Sequence, residues 1–302
     1  MQSRTSDESR GLLLGGLGIL GFSLTLPMTR LAVAELDPII VGLGRTLLAA
    51  VLAALVLIIQ RRPFPGWRYL PSLAVVAGGA IVGFPLFSSL AMRQVPSAHG
   101  AVVGGLIPLV TVAVATLRGH ERPSPAFWCA AGAGSLAVVL FALSESGWTF
   151  RSADGLLLLA VVLCGFGYAE GGRLAREIGG GTVILWGLLL SVPMVAVPVA
   201  RVLLLHGAHA SLRAWAAFSY TGVISVFLAF WVWYRGLALG GVARVSQIQL
   251  LQAFLTLGWA SLLLGEHITR LTFFTAAFVV TTVAIGRRTA VRRQVTPGGN
   301  PA

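Results

Sequence analysis

"PLVTVAVATLRGHER" (108–122) and "AFLTLGWASLLLGEH" (253–267) are apolar runs that close alike, on a glycine, an acid and a histidine. Glu121 and Glu266 stand 145 positions apart. Taken singly, an acid beside a histidine after a hydrophobic run reads as a metal site, a proton relay or an end-of-helix signal. The recurrence favours the last. "GFSLTLPMTRLA" (21–32) parallels "GFGYAEGGRLA" (165–175), and "SLAMRQVPSAHG" (89–100) parallels "GLALGGVARVSQ" (236–247). The matches keep the same order at a period near 143–145 residues, the mark of an internal repeat.

Composition says what is repeated. Of 302 residues, 56% are hydrophobic and 11% charged, whereas an ordinary soluble domain is roughly a quarter charged. Such a chain cannot cover itself with polar surface. It reads as an all-α integral membrane protein. A membrane helix needs about 20 mostly apolar residues. Ten windows qualify: 11–31, 38–59, 70–91, 97–117, 124–143, 155–174, 182–205, 214–235, 243–264 and 269–286. Each half holds five. Five is odd, so the second half enters the membrane from the opposite side. The expected plan is two inverted five-helix repeats, 1–150 and 151–288, followed by a disordered cytosolic tail at 289–302. Inverted repeats are a device of secondary transporters, because the halves can exchange roles between inward-open and outward-open states.

The net charge is +12, and all 22 basic residues are arginine. In a membrane chain this charge fixes orientation; no nucleic-acid partner is expected. Ten spans put 15 arginines on the side of the termini and 7 on the other. The positive-inside bias then makes both termini cytosolic in a multi-pass protein of the cell inner membrane. The absence of lysine excludes a Walker A loop and a Schiff base. Cys129 and Cys164 lie in apolar runs and read as small buried hydrophobes. The pattern H-E-x-x-H fails at Ser124, so no zinc site is expected.

The ten-window plan, the fourth span ending in Pro108…Gly119-His120-Glu121-Arg122 and the ninth ending in Gly265-Glu266-His267 carry a resemblance. The chain resembles the EamA-type branch of the drug/metabolite transporter superfamily over nearly its whole length. Family members typically carry a proline and then Gly-Glu-Arg at these places; here His120 intervenes, and Ala253 and His267 replace proline and arginine. Arg45 matches an arginine common in the family's second span. The resemblance implies a multispan carrier with a central cavity formed by both halves, in which spans four and nine face the centre, often exporting amino acids or other small metabolites.

Several polar residues inside spans are candidates for that cavity. Ser246, Gln249, Gln252 and Thr256 share one face of the ninth span at about 100° per residue. They read as a substrate-binding wall or as interhelical glue. His99 stands near the matching place of the first half. Glu170 lies inside the sixth span, where a charge is costly. It reads as a proton-coupling or charge site, or as a local ion pair with Arg173. Tyr168, Trp231 and Tyr234 offer an amphipathic wall, or plain packing. Arg45 is expected to snorkel outward or to pair with Glu35 or Asp37. Glu121 and Glu266 are expected to cap or tie the turns into spans five and ten, in contact with water.

The expected function is a secondary active transporter, and an exporter, working by alternating access on amino acids or amphipathic organic compounds. Its partners would be the substrate, the lipid bilayer and protons as a candidate coupling ion, in a monomer or homodimer, with no cofactor. The alternatives are a membrane enzyme or a non-transporting scaffold. No enzyme is expected, because the five histidines scatter over loops and span ends without a clustered nucleophile and base.

Overall fold

The computed structural model describes residues 2–117, 125–145, 148–149, 151–240, 245 and 248–289. Among them are helices and no strand. The first half holds α1 (Gln2–Ser23), α2 (Thr25–Val33), α3 (Arg45–Gln60), α4 (Leu70–Val76), α5 (Phe84–Met92), α6 (Ser97–Gly104), α7 (Ile107–Leu117) and α8 (Pro125–Glu145). The second holds α9 (Ser152–Leu174), α10 (Gly180–His206), α11 (Leu212–Ser219), α12 (Phe230–Gly240), α13 (Leu250–Leu264) and α14 (Arg270–Thr289). Widened, π-type turns occupy Ile40–Gly44, Ala77–Gly83, Ala175–Gly179 and Tyr220–Ala229.

Among the described residues, six helical runs are long and apolar enough to cross a membrane: Ser9–Val33, Ile40–Gln60, Trp67–Met92, Ser97–Ala115, Ser152–His206 and Leu212–Leu239. Three shorter apolar helices cover Trp128–Ser144, Leu250–Leu264 and Arg270–Ile285. The run Ser152–His206 has 55 residues. A straight helix of that length would measure about 80 Å, more than twice a hydrocarbon core of about 30 Å. It breaks at Gly179, whose φ of +83° favours glycine.

Helix ends carry their own chemistry. The Asp37 carboxylate accepts the Ile39 amide at 2.8 Å where the second run begins. The Ser211 hydroxyl accepts the Ala214 amide at 3.3 Å and caps α11. α13 stops at Gly265, in the left-handed region at φ 65°, where the Gly265 and Glu266 amides bond back to Ser261 and Ala260.

Exchanging the two halves maps the packing onto itself. α1 lies along α12 and Tyr220–Ala229; its counterpart α9 lies along α4, Ala77–Gly83 and α5. α3 lies on α10 and α8 on α14, each a segment against its own counterpart, and α6 lies on α13, which follows the counterpart of α6 in the chain. Even the widened turns at Ala77–Gly83 and Tyr220–Ala229 occupy equivalent places. Both exchanged seams bring backbone to backbone. A methyl group on Gly167 would sit 2.5 Å from the Ala80 amide nitrogen, and one on Gly236 would sit 2.8 Å from that of Gly15. Small residues permit such approach where no hydrophobic force distinguishes helix from lipid.

Leu13, Ile58, Ile59, Val197, Leu204 and Phe274 project apolar side chains outward, as a lipid-facing surface requires. Trp67 and Trp148 are exposed near run ends, where amphipathic rings settle at a membrane interface. Cys164 is buried as expected, but Cys129 is exposed, because it falls on the outward stripe of α8 with Leu136 and Leu140.

Candidate functional site

A cleft opens where the helix of the fourth window breaks. α6 ends at Gly104, and α7 resumes at Ile107. Pro108 lacks the amide that would bond the Gly104 carbonyl four residues back, so an unbroken helix is disfavoured there. Gly104, Gly105, Ile107 and Pro108 line one wall. The start of α13 faces them, with Gln249, Gln252 and Thr256 on the opposite wall. Leu26 of α2 and Phe84 of α5 also border the space. The cleft encloses about 450 Å³ of empty space, part of it open to solvent, yet water centres can occupy only about 30 Å³. That holds a few waters and no organic solute, so the cleft is contracted.

Three of the four polar residues expected on this stripe do share the cleft. Gln249 is 7% exposed. Among the described residues, neither its side-chain amide nor that of Gln252 has a hydrogen-bond partner. Gln252 is half-buried, and amides that line a cleft with their hydrogen-bonding capacity spare suit a polar ligand. Thr256 has contacts on both sides. It lines the cleft, and its hydroxyl donates to the Ser23 carbonyl at 2.8 Å, where α1 gives way to α2. Trp259 Nε1 reinforces that tie by donating to the Ser23 hydroxyl at 3.1 Å. Ser246 lies outside the described residues, as does Glu121.

Other candidates sit elsewhere. His99 Nε2 is 2.7 Å from Asp154 Oδ1, and both side chains are buried between α6 and α9. Sequence reasoning singled out His99 and missed Asp154, which is 55 residues away. Tyr168 rings pack against Phe230 and Trp233. Trp231 stacks edge-on with Phe227 near Gly181. Tyr234 is fully buried against Gly171 and Gly180. None of these three borders the Gln249 cleft. Glu170 is 2% exposed, and its Oε1 accepts from Arg173 Nη2 at 2.6 Å and Nε at 3.2 Å. Arg173 also reaches Glu177 and the Ser72 hydroxyl, so it forms a hub of neighbouring helices.

Arg45 departs from expectation. It neither snorkels outward nor meets Glu35 or Asp37. It is fully buried, with Nη1 donating to the Thr29 hydroxyl at 3.0 Å and Nη2 to the Ser88 hydroxyl at 3.3 Å. A widened turn, Ile40–Gly44, just before it shifts the helical phase, and the two buried hydroxyls take its hydrogen bonds.

The end of the bundle beyond the cleft is clasped across the halves. Glu266 reaches neither its own turn nor water alone. Its Oε1 accepts the Ser97 amide at 2.8 Å and hydroxyl at 2.9 Å, and Oε2 accepts the Ala98 amide at 2.8 Å. It thereby caps α6, not the turn before α14. Glu35 likewise accepts the Ser211 amide at 2.6 Å and hydroxyl at 2.7 Å at the start of α11. Ser152 donates to Gln94 Oε1 at 2.8 Å on the same end, and Arg30 donates to the Met92 carbonyl.

The EamA-like transporter family model matches residues 9–143 and again 151–286. The chain belongs to the EamA-like transporter family. The two matched segments coincide with the halves that the packing exchanges. The chain is 42% identical to the uncharacterized transporter YdeK of Bacillus subtilis (strain 168) over 286 residues, covering 94% of this chain and 99% of that one. A solved crystal structure shares the fold with a TM-score of 0.60 over 92% of this chain and 96% of its own, at 20% identity. This EamA-like protein is therefore a multi-pass membrane transporter, with a small-molecule substrate and a bilayer as its surroundings.

Proposed function

We propose that this EamA-like protein is a secondary active transporter that exports small metabolites, amino acids or amphipathic organic compounds, by alternating access through the Gln249 cleft. The observation that carries the reading is a contracted cleft at a broken helix, faced by two amides that have no partner among the described residues and lying between counterpart segments of the two halves. Broken helices whose irregular backbone lines a cavity are the usual construction of such sites.

The plan is ten spans in two inverted five-helix repeats, about 1–150 and 151–288. Counting the run Ser152–His206 as two spans brings the nine apolar runs and helices to ten. The arginine tally supports cytosolic termini and the cell inner membrane. On that topology the Glu266 and Glu35 clasps close the outer face. The contracted cleft then belongs to a state shut toward the outside. Glu170, held by Arg173, reads better as half of a structural ion pair than as the proton site. Among the expected wall residues, Gln249, Gln252 and Thr256 form the binding surface, and His99, Tyr168, Trp231 and Tyr234 support it from outside.

Flux into proteoliposomes tests this. Gln249→Leu and Gln252→Leu should lower flux of any solute the wild type moves, with the fold intact. Unchanged flux in both would overturn the cleft as the binding site.

A further inference from the structure

A buried positive charge stands beside the cleft, and no described acid balances it. Arg45 is fully buried, and among the described residues no carboxylate pairs with it. Among the described residues the acids are engaged elsewhere: Glu35 by Ser211, Asp37 by Ile39, Asp154 by His99, Glu170 and Glu177 by Arg173, and Glu266 by Ser97 and Ala98. Thr29 and Ser88, which receive its two hydrogen bonds, are neutral. Ser88 in turn donates to the Phe84 carbonyl, which leaves its oxygen to face Arg45 as an acceptor. Arg45 Nε and the Ser89 hydroxyl are buried with no partner at all. A guanidinium does not shed its proton in a protein. A buried charge left unpaired is strongly unfavourable, so a site of this kind is completed by an anion.

Position links this site to the cleft. Thr29 lies one turn beyond Leu26 on α2, and Ser88 lies one turn beyond Phe84 on α5. Leu26 and Phe84 both border the cleft. Arg45 therefore sits about one helical turn deeper, at the end nearer the clasps. It directly follows the widened turn Ile40–Gly44, a kind of turn that recurs at functional sites.

We propose that Arg45 is an anion subsite of this cleft and that the substrate it takes is a small monocarboxylate. The inference rests on the transporter reading above. The guanidinium fork matches a carboxylate with two parallel hydrogen bonds. One positive charge among neutral hydroxyls balances one negative charge; a phosphate dianion would leave the buried site charged. The Gln249 and Gln252 amides hold the neutral polar part of the same molecule. In the contracted state Arg45 is walled off, and the carboxylate reaches it as the cleft widens.

The test pairs monocarboxylates with their own carboxamides, such as benzoate with benzamide and neutral amino acids with their amides. Binding is read by thermal shift on the purified full-length protein, and flux in proteoliposomes. Wild type, Arg45→Gln and Arg45→Lys are compared, with sodium chloride as the inorganic monoanion. The wild type should favour each acid over its amide by about tenfold or more, as a charge-assisted pair predicts. Arg45→Gln should abolish that preference, and Arg45→Lys should keep only part of it. The acid-against-amide comparison in the wild type stands even where Arg45→Gln fails to fold. Equal handling of acids and amides overturns the subsite and leaves the transporter standing. Binding of the acids without flux supports the subsite and sinks the transporter reading. Neither binding nor flux of any monocarboxylate, or stabilisation by chloride as strong as by the acids, overturns the proposal.

Discussion

The Glu266 carboxylate accepts the backbone amide of Ser97 at 2.8 Å, across 169 residues of sequence. The bond joins the C-terminal end of α13, in the second half, to the N-terminus of α6, in the first. Gly265 makes it possible, because its left-handed turn places the next residue where α6 begins. An anion there satisfies orphan amides and meets the positive end of the helix dipole. Losing such a cap costs about 0.5–2 kcal/mol. Glu266→Ala should therefore lower thermal stability by that order and leave ligand affinity at the Gln249 cleft unchanged. Loss of affinity in a still-folded variant would contradict a purely structural clasp.

The second clasp predicts a pH dependence. Hydrogen bonds from the Ser211 amide, and then from its hydroxyl, hold the Glu35 carboxyl below its ordinary range, with Arg213 adding a favourable charge. A depressed acid stabilises the fold above its unfolded pKa, and the stabilisation fades as pH falls through the folded value. Hydrogen exchange at residues 211–215 should thus accelerate on acidification in the wild type. Glu35→Gln should already exchange fast at neutral pH and respond little to acid. An identical acid response in both proteins would show that Glu35 does not hold α11.

How far the sequence discloses this arrangement depends on the range of each interaction. Window length and the long period reveal the apolar runs and the repeat, because both are written along the chain. The stripe of Gln249, Gln252 and Thr256 is legible because helical periodicity puts them on one face. The roles of Glu266, Glu35 and His99 are hidden, since their partners lie between 55 and 176 residues away. Arg45 misleads for another reason. The widened turn ahead of it shifts the helical phase, which an even 100° step cannot anticipate. The same holds for Trp231 and Tyr234, just past the widened turns at Tyr220–Ala229, whose bulk alone does not say which neighbour they face.

The exchanged glycine seams give a matched pair of predictions. Gly167→Val on α9 and Gly236→Val on α12 each push a side chain into a backbone less than 3 Å away. Overpacking of that kind costs about 1–3 kcal/mol or more, because rigid backbone cannot yield as a side chain can. Both variants should express poorly or melt early, and to a similar degree if the halves carry equal weight. Tolerance of one and failure of the other would show that the seams are not equivalent under load.

Glu170 offers the sharpest choice between a structural and a coupling role. Its carboxylate accepts two hydrogen bonds from Arg173, which also ties Glu177 and Ser72. A carboxylate that exchanges protons during transport must be released from such a partner in part of the cycle. A structural carboxylate stays paired. Glu170→Gln should therefore weaken the Arg173 hub and lower stability while leaving the pH profile of flux in place. Arg173→Gln should do comparable damage, and the double variant should cost less than the sum of the two, as paired groups do. Proteoliposome flux measured across pH decides the matter. A Glu170→Gln protein that folds normally but loses its pH dependence would make Glu170 the coupling site and reduce Arg173 to the partner it leaves.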